Sequence, residues 1–280
     1  MNFFEALAHG CAVLKKSNVE DAVRSCEILL CFAAQKSHAF VLSHAEEKLT
    51  LAQQMIFEDA ILRRAQHEPL AYIVGEKEFF SCVFEVNEHV LIPRPETELL
   101  LEKSLQSLRA LPQEALSVCD VGTGSGILAC LIKKNIPQAR VTAVDVSPQA
   151  LEVAKKNAQN LNVSLDFVEG SLLEGVKGPF HAVISNLPYI STKEFCDLTL
   201  SVKEFEPYEA LVGGETGTEL IEQLIEQAKD KGYKEGMMLL EVGFTQARAV
   251  AKKMEQHGFI KVETFQDLSG IERVVKGVFA

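Results

Sequence analysis

From Pro93 onward short β-rich runs alternate with helical stretches, and this alternation limits the fold more than any other feature of the chain. Strands are expected at Leu116–Val121, Arg140–Val146, Leu165–Val168, Ala182–Ser185 and Met237–Val242. Helices are expected at Ile127–Asn135, Pro148–Leu161, Thr218–Lys231 and Thr245–His257. Strands separated by helices pair in parallel, and a parallel sheet is covered on both faces. Two further β-like runs, Ile260–Phe265 and Arg273–Phe279, are joined by a turn around Ser269-Gly270. The expected fold class is therefore α/β, a Rossmann-like seven-stranded sheet with a terminal antiparallel hairpin.

Upstream the pattern changes. Between Asn2 and about Tyr72 there is no glycine after Gly10 and a single proline, Pro69. Val23, Cys26, Ile28, Leu29, Leu30 and Phe32 recur at helical spacing, as do Leu51, Met55, Ile56, Ile61 and Leu62. A small helical bundle is expected over 1–72, carrying a charge of 7 − 9 = −2 against 21 − 30 = −9 for the remainder. Such a bundle packs or docks and has no chemistry of its own. Ile73 to Ile92 turns to β character, with Phe79-Phe80 and Val83–Val86 flanking a turn and Val90-Leu91-Ile92 before Pro93. The simplest partition is 1–72 helical, 73–92 a β-hairpin linker, and 93–280 the sheet domain.

Composition removes several function classes. The 280 residues carry 28 − 39 = −11 formal charges, which disfavours wrapping of bare duplex DNA, where phosphate neutralisation supplies most of the affinity. No apolar run reaches the roughly 18–20 residues of a membrane span. The first residues lack the basic start and cleavage site of a secretory signal, so a cytoplasmic protein is expected. Seven scattered cysteines never form C-x-x-C, and the seven histidines never form H-x-x-x-H. Neither a metal nor a disulfide is expected. A monomer is expected.

Asp120-Val121-Gly122-Thr123-Gly124-Ser125-Gly126 closes one expected strand and opens a helix. Without a Cβ, its glycines let the backbone turn sharply and approach a ligand. The next strand ends at Asp145, 19 residues after Gly126, where a carboxylate can accept both ribose hydroxyls of a nucleoside. Ser147-Pro148 then supplies an N-cap and a first helical residue. A dinucleotide fingerprint needs a third glycine where Ile127 stands, and a P-loop needs Gly-Lys where Gly126-Ile127 stands. What remains is D-x-G-x-G-x-G, the pattern seen in S-adenosylmethionine-dependent methyltransferases, or a glycine-rich turn with no ligand.

Asn186-Leu187-Pro188-Tyr189 follows the fourth strand of the sheet. Ligands of open α/β sheets bind outside the carboxyl ends of the strands, so this tetrapeptide should face the same crevice as the glycines. Its chemistry suits methylation of a planar nitrogen, whose lone pair is delocalised and weakly nucleophilic. The Asn186 side-chain oxygen and the Leu187 carbonyl can accept the two N–H groups, orienting the nitrogen and stabilising the charge that develops on it. Tyr189 can stack on the flat group. The bland alternative is a strand-ending turn with Tyr189 packed on the core.

The tetrapeptide resembles the Asn-Pro-Pro-Tyr motif of amino-group methyltransferases that act on DNA adenine or protein glutamine. A second stretch separates these: Glu68-Pro69-Leu70-Ala71-Tyr72-Ile73-Val74-Gly75, Phe84-x-Val86 and Val90-Leu91-Ile92-Pro93-Arg94-Pro95-Glu96-Thr97-Glu98 closely resemble the release factor glutamine methyltransferases (PrmC/HemK family). Glu206-Pro207, Ala210-Leu211, Gly213-Gly214, Leu240-Glu241-Val242-Gly243 with Gln246, and Asp267-Leu268-Ser269-Gly270 with Arg273-Val274 match as well. The resemblance spans essentially the whole chain. It implies methyl transfer from S-adenosylmethionine to the glutamine amide of the Gly-Gly-Gln motif in peptide chain release factors, with the helical region helping to hold that substrate. The cofactor would meet Gly122, Thr123, Gly124, Ser125, Gly126, Asp145, Leu172 and Asn186, and the glutamine would meet Asn186, Leu187, Pro188 and Tyr189. Arg94 to Glu98 reads either as a wall for the cofactor's methionine end or as a helix start. Glu204, Glu206 and Glu209 read as a solvated acidic loop.

Two positions depart from the family pattern. Leu187 replaces the first proline, though the acceptor it supplies is a backbone carbonyl and Pro188 still biases it toward an extended conformation. Ser171 stands where relatives carry an acid, so adenine's amino group would meet a hydroxyl. The competing functions are an adenine-N6 DNA or RNA methyltransferase acting on a flipped base, and a nucleoside-binding module impaired in catalysis.

Overall fold

The structure, a computed structural model, describes residues 1–112, 116–230 and 236–279. It divides into two compact units, residues 1–76 with 199–205, and residues 77–198 with 206–280. The first contains α1 (Phe3–Lys16), α2 (Ala22–Ala34), α3 (His38–Ser43), α4 (Leu51–Ala65) and α5 (Leu70–Val74). Two of these helices begin in capping boxes, Asn2 with Glu5 and Thr50 with Gln53, each satisfying otherwise orphaned N–H groups. The helices close in on Gly10. A Cβ there would lie 2.6 Å from Cys26 Sγ and 2.9 Å from both Ile61 Cδ1 and Phe57 Cζ, so hydrogen is the only substituent that fits. This close crossing decides which side of α4 is buried: Phe57, Ala60 and Ile61 face inward, while Leu51, Met55, Ile56 and Leu62 are exposed. The helical period of that segment holds, but most of its large apolar residues lie on the open side.

The second unit opens with a hairpin, β1 (Glu76–Phe79) and β2 (Cys82–Glu85). Its turn residues Phe80 and Ser81 both adopt left-handed backbone (φ 49° and 57°), the mirror-image turn that suits strand twist. The β region is shorter than the sequence predicts, because Ile73-Val74 complete α5 and Val90–Ile92 form no strand. Nor does the hairpin stand apart as a linker. Phe79 and Phe84 enter the sheet core, and the buried Asn157 amide accepts from Glu85 N at 2.7 Å and donates to Glu85 O at 2.9 Å.

After α6 (Thr97–Arg109) come β3 (Ser117–Val121), α7 (Ile127–Asn135), β4 (Arg140–Asp145), α8 (Pro148–Asn160), β5 (Asp166–Glu169) and β6 (Ala182–Ser185). Short pieces follow: β7 (Ile190–Ser191), α9 (Thr192–Phe195), α10 (Leu200–Lys203) and β8 (Val212–Gly214). The chain ends with α11 (Glu219–Asp230), β9 (Met237–Glu241), α12 (Ala247–Gln256), β10 (Phe259–Gln266) and β11 (Glu272–Phe279). The last residue of the helix expected over Thr218–Lys231, Lys231, lies outside the described residues.

The seven-stranded sheet has the order β10-β11-β9-β6-β3-β4-β5. β9, β6, β3, β4 and β5 run parallel, and β11 is antiparallel to both β9 and β10. The chain winds outward from β3 to β4 and β5, then returns to place β6 on the other side of β3. The loops after β3 and β6 therefore leave a gap at their carboxyl ends, where open α/β sheets bind ligands. Both faces are sealed by apolar clusters, one built on Leu100, Leu128, Leu131 and Ile184, the other on Ile221, Leu224, Met238 and Val250.

Candidate functional site

The central strands deliver two loops to the same place, and the buried Ser185 ties them together. Its hydroxyl, at the end of β6, donates to Val121 O at the end of β3 at 2.6 Å. A cavity of about 500 Å³ opens above this junction. Gly122, Thr123, Gly124 and Ser125 line it, with Asp145, Leu172, Asn186, Leu187 and Pro188. Nine of the expected site residues are thus brought together around one cavity.

The glycine loop is held from behind. Gly122, Gly124 and Gly126 all have positive φ (69°, 55° and 81°), which side chains with a Cβ rarely adopt. Asp120, fully buried, accepts from the Thr123 hydroxyl at 2.7 Å and from Ala129 N at 3.1 Å. It thereby caps α7, whose own N-cap, Gly126, has no side chain to do so. Burial pushes the Asp120 carboxyl up to about 6, against the opposing pull of those two donors. Asn157 Nδ2 adds a bond to Ser125 O at 2.8 Å.

Asp145 ends β4 and turns toward the loop. Oδ2 accepts from Gly124 N at 2.8 Å and Oδ1 from Ser147 N at 2.9 Å, which leaves each oxygen a lone pair. Burial raises its pKa and the backbone donors counter that rise. Beside it Val146 is 65% exposed yet lines the cavity with Leu172, so two apolar side chains flank a carboxylate. A diol between two free lone pairs and a flat base between apolar walls match this set chemically. The residues present therefore fit a nucleoside.

Across the cavity, Asn186 Nδ2 donates to the Thr97 hydroxyl at 3.1 Å. That bond turns the amide so that Nδ2 faces α6. Leu187 is buried and leans on the loop: a Cβ at Gly122 would lie 3.0 Å from its Cδ2. Two of the expected residues do not line the cavity. Gly126 acts through its backbone, where a Cβ would lie 2.9 Å from Ala154 Cβ. Tyr189 packs against the apolar cluster around Val242, its hydroxyl donates to Glu241 at 3.4 Å, and its carbonyl accepts from Gln246 Nε2 at 2.8 Å. The ring is partly buried against this cluster, as the turn reading of the segment expects.

Val146 and Asn157 were not singled out from sequence, and Thr97 and Glu241 were quoted there only within longer matching stretches. The acidic loop also differs from expectation. Glu206 is buried, accepts from Arg94 Nη2 at 2.5 Å and from Ile92 N at 3.1 Å, and so fixes the segment that walls the cavity at Pro93 and Arg94. Glu209 lines the cavity as well. Among the described residues, no group of three or more His, Cys, Asp or Glu is placed to hold a metal ion.

Residues 5–75 match the family described as the PrmC N-terminal domain, and residues 96–202 match the methyltransferase small domain. The release factor glutamine methyltransferase of Koribacter versatilis is 38% identical over 278 residues, covering 98% of this chain and 96% of that protein. The release factor glutamine methyltransferase of Salmonella typhimurium is 36% identical over 258 residues, covering 91% and 92%. Among solved structures, a methyltransferase from Pyrococcus furiosus superimposes with a TM-score of 0.53 at 20% identity, over 72% of this chain and 91% of that one, a likeness of fold. With more than a third of the residues identical across nearly the full length of both chains, this protein belongs to the release factor glutamine methyltransferase family.

Proposed function

We propose that this chain methylates the side-chain amide nitrogen of the glutamine in the Gly-Gly-Gln motif of peptide chain release factors, using S-adenosylmethionine, and so acts in translation termination in the cytoplasm. The observation that carries the reading is the single cavity shared by the glycine loop, Asp145 and Asn186–Pro188. Asp145 would accept the two ribose hydroxyls, Val146 and Leu172 would flank the adenine, and Ser171 would meet its amino group. Bound there, the cofactor supplies an electrophilic methyl group on a sulfonium.

The chain's own part is to aim a poor nucleophile. A carboxamide nitrogen shares its lone pair with the carbonyl, and nucleophilicity grows only as positive charge collects on nitrogen. Asn186 Oδ1 and the Leu187 carbonyl would accept its two N–H groups, gaining strength as that charge develops, which lowers the barrier without a strong base. Leu187 in place of proline is compatible with this role, because its side chain packs on Gly122 while its carbonyl does the work.

The helical unit would help hold the release factor, a role supported by the exposed Leu51, Met55 and Leu62 of α4. Among the described residues no helix is long and apolar enough to cross a membrane. Purified protein incubated with methyl-labelled S-adenosylmethionine and a release factor should label the factor, and lose the label when the Gly-Gly-Gln glutamine is replaced. Label on adenine-containing DNA or RNA instead would assign an adenine methyltransferase. Saturable cofactor binding without transfer would assign a binding module.

A further inference from the structure

Ser171 lines the cavity on the loop after β5, and its hydroxyl makes no hydrogen bond among the described residues. The loop itself is firmly built. Gly170 N donates to Asp145 O at 3.0 Å, Glu174 N to Ser171 O at 2.9 Å, and Leu173 N to Gln227 Oε1 at 2.8 Å. A Cβ on Gly170 would lie 2.8 Å from Glu174 O, so the turn closes on glycine alone. Leu173 is fully buried, and Leu172 adopts left-handed backbone (φ 54°). Ser171 is therefore fixed from both sides, on a wall that it shares with Val146 and Leu172.

Charge is sparse on this wall. Among the described residues that line the cavity from the loops after β4 and β5, Asp145 is the one charged side chain. Ser147 is committed, accepting from Ala150 N at 3.1 Å and donating to Gln149 Oε1 at 3.3 Å. Ser171 is free to turn. A hydroxyl offers one proton and two lone pairs, and it rotates to suit its partner. To a 6-aminopurine it offers a lone pair, and to a 6-oxopurine it offers the proton. A carboxylate in the same place can only accept: it grips the amino group through a charge-assisted bond and repels the oxo group. Val146 and Leu172 would meet the flat faces of the ring, which the two purines share.

We propose that Ser171 is a specificity-determining residue that leaves the purine 6-position unread, so that this chain binds an inosine-type (6-oxopurine) form of the cofactor or its product beside the 6-aminopurine form. The proposal rests on the nucleoside reading of the cavity, with the ribose on Asp145 and the base between Val146 and Leu172. Discrimination is a difference of affinities. It is large where a fixed donor or acceptor of the site is left facing its own kind. A hydroxyl free to rotate imposes no such penalty. The sulfonium lies at the far end of the cofactor from the base, so the change of base acts on binding and leaves the aim of Asn186 alone.

Calorimetric binding of S-adenosylhomocysteine and S-inosylhomocysteine to the full-length protein gives a readout independent of turnover. In the wild type the two dissociation constants should lie within about tenfold of each other. Ser171→Asp should hold or tighten the adenine form and weaken the inosine form, raising their ratio by about tenfold or more. Ser171→Ala should weaken both about alike and keep the ratio near that of the wild type. The 6-oxo base also carries a proton on its ring nitrogen, but that difference cancels when variants at one position are compared. A wild-type ratio above about a hundredfold, or an unchanged ratio in Ser171→Asp, overturns the proposal. Asp145→Ala separates it from the reading beneath it, and should weaken both ligands alike. If that variant binds S-adenosylhomocysteine as the wild type does, the ribose is not on Asp145, and the nucleoside reading falls together with the proposal. If Asp145 matters while the ratio ignores residue 171, the proposal alone falls.

Discussion

The two units bury different kinds of residue. In the helical unit the buried side chains are apolar apart from Ser25, and the starts of α1, α3 and α4 are closed by their own N-cap side chains. The sheet unit buries Thr97, Asp120, Asn157, Glu206 and Glu241, and closes the start of α7 with an aspartate from the preceding strand. One unit keeps mainly to rules of apolar packing and local capping. The other departs from them where the strand ends meet the cavity, and each departure positions the glycine loop, the Asn186 turn or the Arg94 wall. A fold that need only pack has no use for a partnerless carboxylate oxygen, yet Asp120 and Glu241 each keep one. That contrast separates scaffold from machinery.

The comparison is tested hardest at Asn186. Asn186→Ala should cost about 3 kcal/mol or more of transition-state stabilisation, a drop in kcat of at least about a hundredfold, while cofactor affinity stays within a few-fold. Single-turnover transfer and calorimetric binding measure the two separately. Near-normal turnover would remove Asn186 from the machinery and blur the line between the units.

Asp120 tests whether buried charge there lowers stability. Its native pKa of about 6 lies above the unfolded value of 3.8, so the folded state holds this proton more tightly. Stability should therefore fall as pH rises through that window, by about 3 kcal/mol for a shift of about two units, and the loss should be complete above about pH 7. Asp120→Asn keeps an oxygen for Thr123 and Ala129 N and should flatten this slope. Urea unfolding at pH 4 and pH 7 reads the difference, and identical slopes in the two proteins would contradict it.

How much of this was visible in the sequence depends on the distance over which each residue acts. The strands of the sheet fall within a residue or two of their expected bounds, because an apolar run between turn residues is a local signal. The glycine loop and Asp145 were legible for the same reason, lying on consecutive strand ends. The bond of Tyr189 to Glu241 was not visible, since the two lie 52 residues apart. Thr97 meets Asn186 across 89 residues, and Arg94 meets Glu206 across 112. A carboxylate looks solvated when only its immediate neighbours are read. The exposed side of α4 was missed because periodicity shows that a helix has faces, and only the close approach at Gly10 selects the inner one.

Ion pairs sharpen the contrast further. In the sheet unit Arg94→Ala would leave Glu206, its side chain 1% exposed, with Ile92 N as its remaining donor. A stranded buried charge of this kind costs about 3–5 kcal/mol, reduced here to about 2–3 because Arg94 is itself part-exposed. Loosening of the Pro93–Arg94 wall should accompany the loss, visible as weaker cofactor binding.

The smallest effect belongs to the corresponding pair in the helical unit. Arg63 grips Glu68 with two bonds, Nε to Oε2 at 2.8 Å and Nη2 to Oε1 at 2.5 Å, just beyond the end of α4. Its geometry is better than that of Arg94 with Glu206, yet the Arg63 side chain is 40% exposed. Water can replace either partner, and the guanidinium gives up little hydration to form the pair. A double-mutant cycle with Arg63→Ala and Glu68→Ala should return a coupling of about 1 kcal/mol or less, and that coupling should weaken with added salt. If the cycle instead matched the loss at Arg94, geometry rather than burial would set the strength of these pairs, and the distinction between the two units would no longer rest on what each removes from water.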